Sequence, residues 1–181
     1  MDLRPAGGIF LRRGADGNLT VFDTAGSILA KFIGSEFAGT LAKGTPSNNA
    51  PIGTTTSTSD VSTGYGNAFT PRVSGNAVIV ASFIVGNTVA NIGSRYQMYL
   101  KTNSSTIPAG GTAVGADTAL GGIGLVQDAE ASQVKAQTMS LITTGLTIDT
   151  PYVFYIAFRT DATGTAQISN VQPNNPIVIE I

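Results

Sequence analysis

Residues 77–85 read Ala-Val-Ile-Val-Ala-Ser-Phe-Ile-Val, and residues 152–158 read Tyr-Val-Phe-Tyr-Ile-Ala-Phe. β-Branched and aromatic residues favour strands, and turn-forming residues such as Ser74-Gly75-Asn76 precede the first stretch. Successive side chains of a strand point to opposite faces, so both faces of these two strands are apolar. An antiparallel strand with one solvated face alternates apolar and polar residues instead. We therefore expect each of the two strands to be covered on both sides.

Four further segments carry the same strand signals, at residues 95–100, 134–142, 166–171 and 176–181. No long run keeps a helical period; residues 128–138 come nearest, and we expect no helix there. Many short strands separated by Gly, Asn and Pro clusters are typical of sandwiches and barrels. The sequence therefore predicts an all-β fold, an antiparallel β-sandwich of jelly-roll-like or immunoglobulin-like type.

The first part of the chain predicts a separate β-meander. Asp16-Gly17 and Ala25-Gly26 lie between short apolar segments, where glycine supplies the positive φ of hairpin turns. Three strands are expected, at residues 8–13, 19–23 and 27–33. Apolar residues at period two give the later two strands an apolar face, formed by Leu19, Val21, Ile28, Ala30 and Phe32.

A loose stretch separates the meander from the sandwich. Residues 34–67 are rich in Gly, Thr, Ser and Asn, so few apolar side chains offset the entropy of ordering them. Residues 54–62 fit either a Thr-rich strand or a loop. We divide the chain into an N-terminal β-rich attachment arm at 1–38, an extended connector at 39–50 and the sandwich at 51–181.

Composition excludes several classes of chemistry. The 181 residues include no Cys, His or Trp, so disulfides, thiolate and imidazole chemistry and the usual His/Cys zinc sites are ruled out. Charged residues make up 12% and the net charge is −1. A nucleic-acid-binding domain is instead expected to carry an excess of Lys and Arg clustered on one surface. No apolar run approaches the roughly 20 residues of a membrane-spanning helix. We expect no nucleic-acid or membrane partner, and the N-terminus shows no secretion signal.

Three short motifs do not add up to a catalytic site. Ser132 and Lys135 have Ser-x-x-Lys spacing, but the companion motifs of acyl-transferring enzymes are missing and a strand begins between the two residues. Asp128 and Glu130 fit a solvated acidic turn. The glycine-rich residues 121–124 fit a loop rather than a phosphate cradle. We therefore expect no enzyme activity, cofactor, metal or small-molecule substrate.

A set of turns and strands in the second half resembles a known family. It comprises Ser74-Gly75-Asn76 before the strand at 77, the turn Gly145-Leu146-Thr147, the aromatic strand at 152–158, the hairpin Gly164-Thr165-Ala166 and the last strand, closing on Ile179-Glu180-Ile181. This arrangement is similar to the β-sandwich domains of tailed-bacteriophage virion proteins, over about 110 residues. Part of it, from Leu146 to Tyr152, also looks like the tyrosine corner of immunoglobulin-like sandwiches.

The resemblance implies a structural protein on the outer capsid surface, assembled in the host cytoplasm. The leading hypothesis is a capsid decoration (cement) protein that binds the major capsid protein as a homo-oligomer, for which the resemblance implies a trimer. The alternative is a receptor-binding or fibre-tip protein whose residues 102–125 grip a host glycan or protein. A carbohydrate-binding or adhesin module of cellular origin is a third hypothesis, and the absence of Trp counts against both the second and the third.

Two surfaces would carry the leading function. The meander, with a basic doublet beside its apolar face, would contact the capsid; the residues are Arg12, Arg13, Leu19, Val21, Ile28, Phe32 and Phe37. The strands that are apolar on both faces carry more apolar side chains than one core can hold. We expect the surplus side chains to pack between copies of the chain. These interface candidates are Val78, Val80, Ile84 and Tyr155.

Overall fold

The computed structural model describes residues 53–170 and 177–181, together with five N-terminal strand segments at 2–3, 10–13, 19–22, 28–33 and 36–39. In these segments the structure consists of strands, turns and loops, with antiparallel pairing throughout. The predicted all-β fold and antiparallel β-sandwich are confirmed. The structure has no helix able to cross a membrane within the part of the chain that it describes.

The N-terminal part forms a five-stranded meander rather than the expected three strands. Its strands are β1 (Asp2–Leu3), β2 (Phe10–Arg13), β3 (Leu19–Phe22), β4 (Ile28–Ile33) and β5 (Glu36–Gly39), paired in chain order. Hairpin signals identify the middle three from sequence. No such signal identifies the two outer strands, because β1 has only two residues and β5 lies in the loose stretch that begins at residue 34; both form by pairing with a neighbouring strand.

The sandwich contains nine strands. In chain order they are β6 (Thr54–Thr55), β7 (Val61–Phe69), β8 (Ala77–Asn87), β9 (Ser94–Thr102), β10 (Thr118–Val126), β11 (Val134–Thr143), β12 (Tyr152–Thr160), β13 (Ala166–Asn170) and β14 (Ile177–Glu180). One sheet, the β12 sheet, has the order β10-β9-β12-β7. The other, the β8 sheet, has the order β11-β8-β13-β6, and β14 also pairs with β8.

Strand β8 organises its sheet because three strands pair with it. β11 pairs along ten consecutive residues of β8, without a register shift. On the other side, β13 pairs with the second half of β8 and β14 with its first half. The C-terminal strand therefore completes the sheet.

The core lies between the two sheets. The inward side chains of β8 alternate with its outward ones and are 0% exposed; they are Ala77, Ile79, Ala81, Phe83 and Val85. Phe154, Ile156 and Phe158 of β12 belong to the same cluster. Phe83 meets Tyr96 edge to face, with ring centroids 4.9 Å apart, a favoured geometry for aromatic pairs.

Strand β10 corrects one expectation from the sequence. The sequence predicts a loop at residues 121–124, within the exposed stretch 102–125, but Thr118–Val126 form β10, whose register with β9 shifts between Leu120 and Gly124. Gly121 has φ +65° there, a conformation that glycine adopts without steric cost. Because glycine has no side chain, the period-two pattern of a strand is not visible in this segment. Hydrogen bonding to β9 keeps the segment extended.

Most of strand β7 lies within the loose stretch 34–67. Its Ser62, Thr63 and Asn67 are 0% exposed, so polar composition did not mean solvent exposure. The Thr63 hydroxyl donates a 2.7 Å hydrogen bond to the Ile156 carbonyl, which offsets the cost of burying it. Of residues 54–62, Thr54–Thr55 form β6 and β7 begins at Val61.

The connector prediction falls mostly outside the described residues. Gly39 ends β5, and 40–50 lie outside the described part of the chain, so the division into arm, connector and sandwich stays a prediction. Hydrogen-bonded strand pairing links β1 to β5 into one sheet and β6 to β14 into the two sheets of the sandwich.

The end of β14 is anchored by a buried carboxylate. Glu180 is 0% exposed, and its Oε1 accepts hydrogen bonds from three successive backbone N–H groups, those of Arg72 (3.0 Å), Val73 (2.6 Å) and Ser74 (2.5 Å). Successive N–H groups that converge in this way form an anion-binding nest. The nest fastens the last strand to the loop that precedes β8.

Candidate oligomer interface and arm contacts

The outward side of the β8 sheet carries apolar side chains and no described charged group. We call this surface the outer face. It is formed by the outward side chains of four strands: Val78, Val80, Ser82 and Ile84 of β8; Val134, Ala136, Thr138, Ser140 and Ile142 of β11; Ile177 and Ile179 of β14; and Gln167 of β13. Its polar members include Ser82 and Thr138, whose hydroxyls hydrogen-bond each other at 3.0 Å.

Exposure on the outer face is greatest on β11. Ile142 is 65% exposed and Val134 51%, while Val78, Val80 and Ile84 of the central strand are half-buried. A contiguous apolar patch with few charges is typical of an interaction surface. Three of the four predicted interface residues are therefore brought together on one exposed face.

One end of the outer face contains a shallow cavity. Its volume is about 220 Å³, and its lining is Gly53, Ile84, Val134, Gln167 and Ile168. In the register, Val134 of β11 and Gln167 of β13 both pair with Gly86 of β8, so three neighbouring strands meet at this end of the face. The cavity therefore lies where β11 and β13 flank the second half of β8.

Tyr155, the fourth predicted interface residue, lies elsewhere and is covered by its own chain. It is 1% exposed and packs with Tyr99, Val153 and Ile107. Ile107 belongs to the segment 103–117, which lies over the outward side of the β12 sheet and hydrogen-bonds to β7 through Ser62. Tyr155 therefore has no open surface to offer a second copy, and the oligomer interface itself stays a prediction.

A network of tyrosines and aspartates holds the 103–117 segment. The Tyr99 and Tyr155 rings stack with centroids 5.9 Å apart, and the Tyr155 hydroxyl donates to Asp117 at 2.7 Å. The Tyr99 hydroxyl donates to Asp60 at 2.5 Å, and Asp60 also pairs with Arg159 at 2.9 Å. Burial, with the nearby carboxylate second, raises the pKa of Tyr99 to about 12 and that of Tyr155 further. This arrangement fastens a long loop.

The register of the N-terminal sheet aligns several arm candidates. Arg13 pairs with Leu19, Leu19 with Phe32, and Phe32 with Phe37, so four candidates form one cross-strand row. Arg12 pairs with Thr20 in the neighbouring row.

Exposure is described for three of the arm candidates. Leu19 is 38% exposed and Ile28 39%, and Val21 is half-buried. Thr20, between Leu19 and Val21, is only 8% exposed, so the apolar residues of β3 are not its most buried ones. The expected contact of this arm with a capsid stays a prediction.

The remaining motif residues lie in one loop and the strand after it. Ser132 has φ +62° in the loop before β11, and the Lys135 Nζ lies 2.6 Å from Asp128 Oδ1. The side chain of Asp128 is 20% exposed, so the solvated turn expected there is partly buried instead. Within the described ranges no group of three or more acidic residues is arranged to hold a metal ion.

Sequence reasoning missed the largest contributors to the outer face. The sequence predicts the strands that carry these residues but not the face on which they lie, because β11 is apolar at both odd and even positions near its end. The residues are Val134, Ile142, Ile177 and Ile179. Pairing with β8 settles which set points outward. The available signal was the lack of charge at every second residue from 134 to 142.

No protein-family model matches this sequence, and no curated protein matches it significantly.

Proposed function

We propose that this chain is a structural virion protein, a capsid decoration (cement) protein that binds the major capsid protein on the outer surface of the head as a homo-oligomer. The family resemblance of the second half of the sequence is the origin of this proposal. The observation that supports it best is the outer face, because an exposed apolar sheet surface with no described charge suits permanent assembly.

The N-terminal sheet supplies the attachment site in this proposal. It exposes Leu19 and Ile28, and its order leaves β1 and β5 at the sheet edges. A partner strand can add to such an edge through backbone hydrogen bonds. An oligomer presents several arms at once, so modest single contacts sum to durable attachment.

The test uses undecorated phage particles and the full chain. We compare the unaltered protein with the Leu19→Glu/Ile28→Glu variant, because both side chains are already exposed and the substitutions put charge on the proposed contact. Co-sedimentation and the disruption temperature of the particles are measured. We expect the unaltered chain to bind and to raise that temperature, and the variant to lose both effects.

The matched control is Val89→Glu, which changes a side chain of similar exposure, 42%, in a sandwich loop. It should bind like the unaltered chain. Undiminished binding by the Leu19→Glu/Ile28→Glu variant would show that the arm is not the anchor. If the full chain ignores the particles but binds host cells, the receptor-binding or fibre-tip alternative replaces this proposal.

A further inference from the structure

We infer that two copies of this chain pack their outer faces together around a two-fold axis, with the Ile142 side chain of each copy seated in the cavity of the other. This inference deepens the homo-oligomer part of the proposed function and rests on it. It also departs from the trimer that the sequence resemblance implies, because a surface that packs against itself closes as a dimer.

The two ends of β11 are complementary to each other. Ile142, the most exposed large hydrophobic side chain described, lies at one end, and the cavity beside Val134 lies at the other. The two positions are eight residues apart, about 27 Å along an extended strand. When two outer faces meet with their β11 strands antiparallel, Ile142 of each copy lies over the Val134 end of the other.

The cavity is large enough for that side chain. Its volume is about 220 Å³, and an apolar cavity of roughly 150 Å³ in another protein holds a benzene molecule. Its lining is mostly apolar, from Gly53, Ile84, Val134 and Ile168, with Gln167 at the side. An aliphatic side chain therefore fits the site in both size and chemistry.

The size and charge of the outer face also suit a second copy. Strands β8 and β11, with β13 and β14 end to end as a third row, cover roughly 34 Å by 14 Å, about 480 Å² on each copy, so a pair comes close to the ~1,000 Å² of a specific interface. The described side chains on the face include no charged group, so pairing of two faces would bury no unpaired charge among them. Packed sheets lie about 10 Å apart, and outward apolar side chains fill that space.

The first test measures association of the full chain by sedimentation equilibrium and native mass spectrometry. We expect a dimer for the unaltered protein, and Ile142→Lys should weaken the dimer by about a hundredfold or more, because it puts a charge in the cavity. Ile123→Lys is the matched control: Ile123 is 47% exposed on β10, in the other sheet, and this variant should associate normally.

A second variant tests the cavity without adding charge. Gly53 lines the cavity, and a Cβ there would have no atom within 4 Å, so Gly53→Leu adds apolar bulk at the cavity wall without a clash at its Cβ. We expect association to weaken about tenfold or more. Gly115, in the 103–117 segment, is equally open, and Gly115→Leu should leave association unchanged.

Cross-linking tests the antiparallel arrangement directly, because the chain contains no cysteine. Val134→Cys and Ile142→Cys are made as separate proteins and treated with a short bismaleimide cross-linker. Only their mixture should give cross-linked dimers, since like positions of the two copies lie about 27 Å apart in the proposed pair.

A monomeric or trimeric unaltered chain would overturn the inference, as would association that Ile142→Lys and Gly53→Leu leave unchanged. Cross-linking of Ile142→Cys alone would refute the antiparallel arrangement. The particle-binding assay is read separately: a chain that binds particles but does not pair through this face retains the decoration function and loses this inference.

Discussion

Replacement of Glu180 tests whether the buried carboxylate anchors the C-terminal strand. Three backbone N–H groups converge on its Oε1, and the Arg72 N–H also lies 3.2 Å from Oε2. In Glu180→Gln, an amide oxygen at the Oε1 position still accepts the three bonds, but the charge is lost and an NH₂ group faces the Arg72 N–H. In Glu180→Ala, all three N–H groups lose their acceptor.

The magnitude follows from these contacts. A hydrogen bond to a charged group contributes about 1.5–3 kcal/mol and a neutral one about 1 kcal/mol. Each of the three bonds loses about 0.5–2 kcal/mol of charge assistance, roughly 1.5–6 kcal/mol in total, and because the donors are part-buried we expect the lower half of that range, about 2–4 kcal/mol, for Glu180→Gln. The donors belong to half-buried residues, so water replaces part of what Glu180→Ala removes. We expect about 3–5 kcal/mol for the alanine variant, or a melting temperature lower by roughly 6–20 °C.

The assay is equilibrium unfolding in urea, followed by far-ultraviolet circular dichroism. Glu130→Gln is the matched control: Glu130 is exposed and accepts one hydrogen bond, from Gln133. It should change the free energy of unfolding by less than about 0.5 kcal/mol. If both Glu180 variants unfold at the same urea concentration as the control, the nest of N–H groups does not hold the strand and the reasoning fails.

Three further predictions concern the sandwich. Gly86→Ala should be strongly destabilising in thermal unfolding, because the new Cβ would lie 2.1 Å from a backbone carbonyl oxygen, whereas Gly122→Ala has open space around it and should melt within a few degrees of the unaltered chain. Phe83→Ala removes a fully buried ring and should cost about 3–5 kcal/mol in urea unfolding; a loss below about 1 kcal/mol would mean that the core is loosely packed there. The pKa of Tyr99 is raised to about 12 in the folded chain, above the ordinary value near 10, so its contribution to stability is complete below about pH 10 and is lost as the pH rises towards 12. Tyrosinate absorbance during alkaline titration checks this, and Tyr99→Phe should remove one late-titrating group; an unchanged titration curve would contradict the assignment.

Local sequence was sufficient for the strands whose signals are carried by their own residues. β12 occupies Tyr152–Thr160, and β8 and β11 begin at the predicted residues, because β-branched and aromatic residues between turn formers specify an extended chain without help from distant segments. The same composition identified the all-β class. The sequence did not predict β10, because glycines at 121, 122 and 124 have no side chains to show the period-two pattern. This segment forms a strand through its pairing with β9.

The sequence by itself determined that β8 and β12 are apolar on both faces and that each needs two covers. Only the tertiary structure decided where the second cover comes from. Ile107 and the rest of the 103–117 segment lie over Tyr155 and its neighbours on β12, while no described segment lies over the outward side chains of β8, which are half-buried with the exposed Ile142 beside them. The physical reason is that burial of a strand face depends on which distant segment packs on it. The apolar pattern of a nine-residue strand shows that both of its faces must be buried. It does not show which distant segment packs on each face.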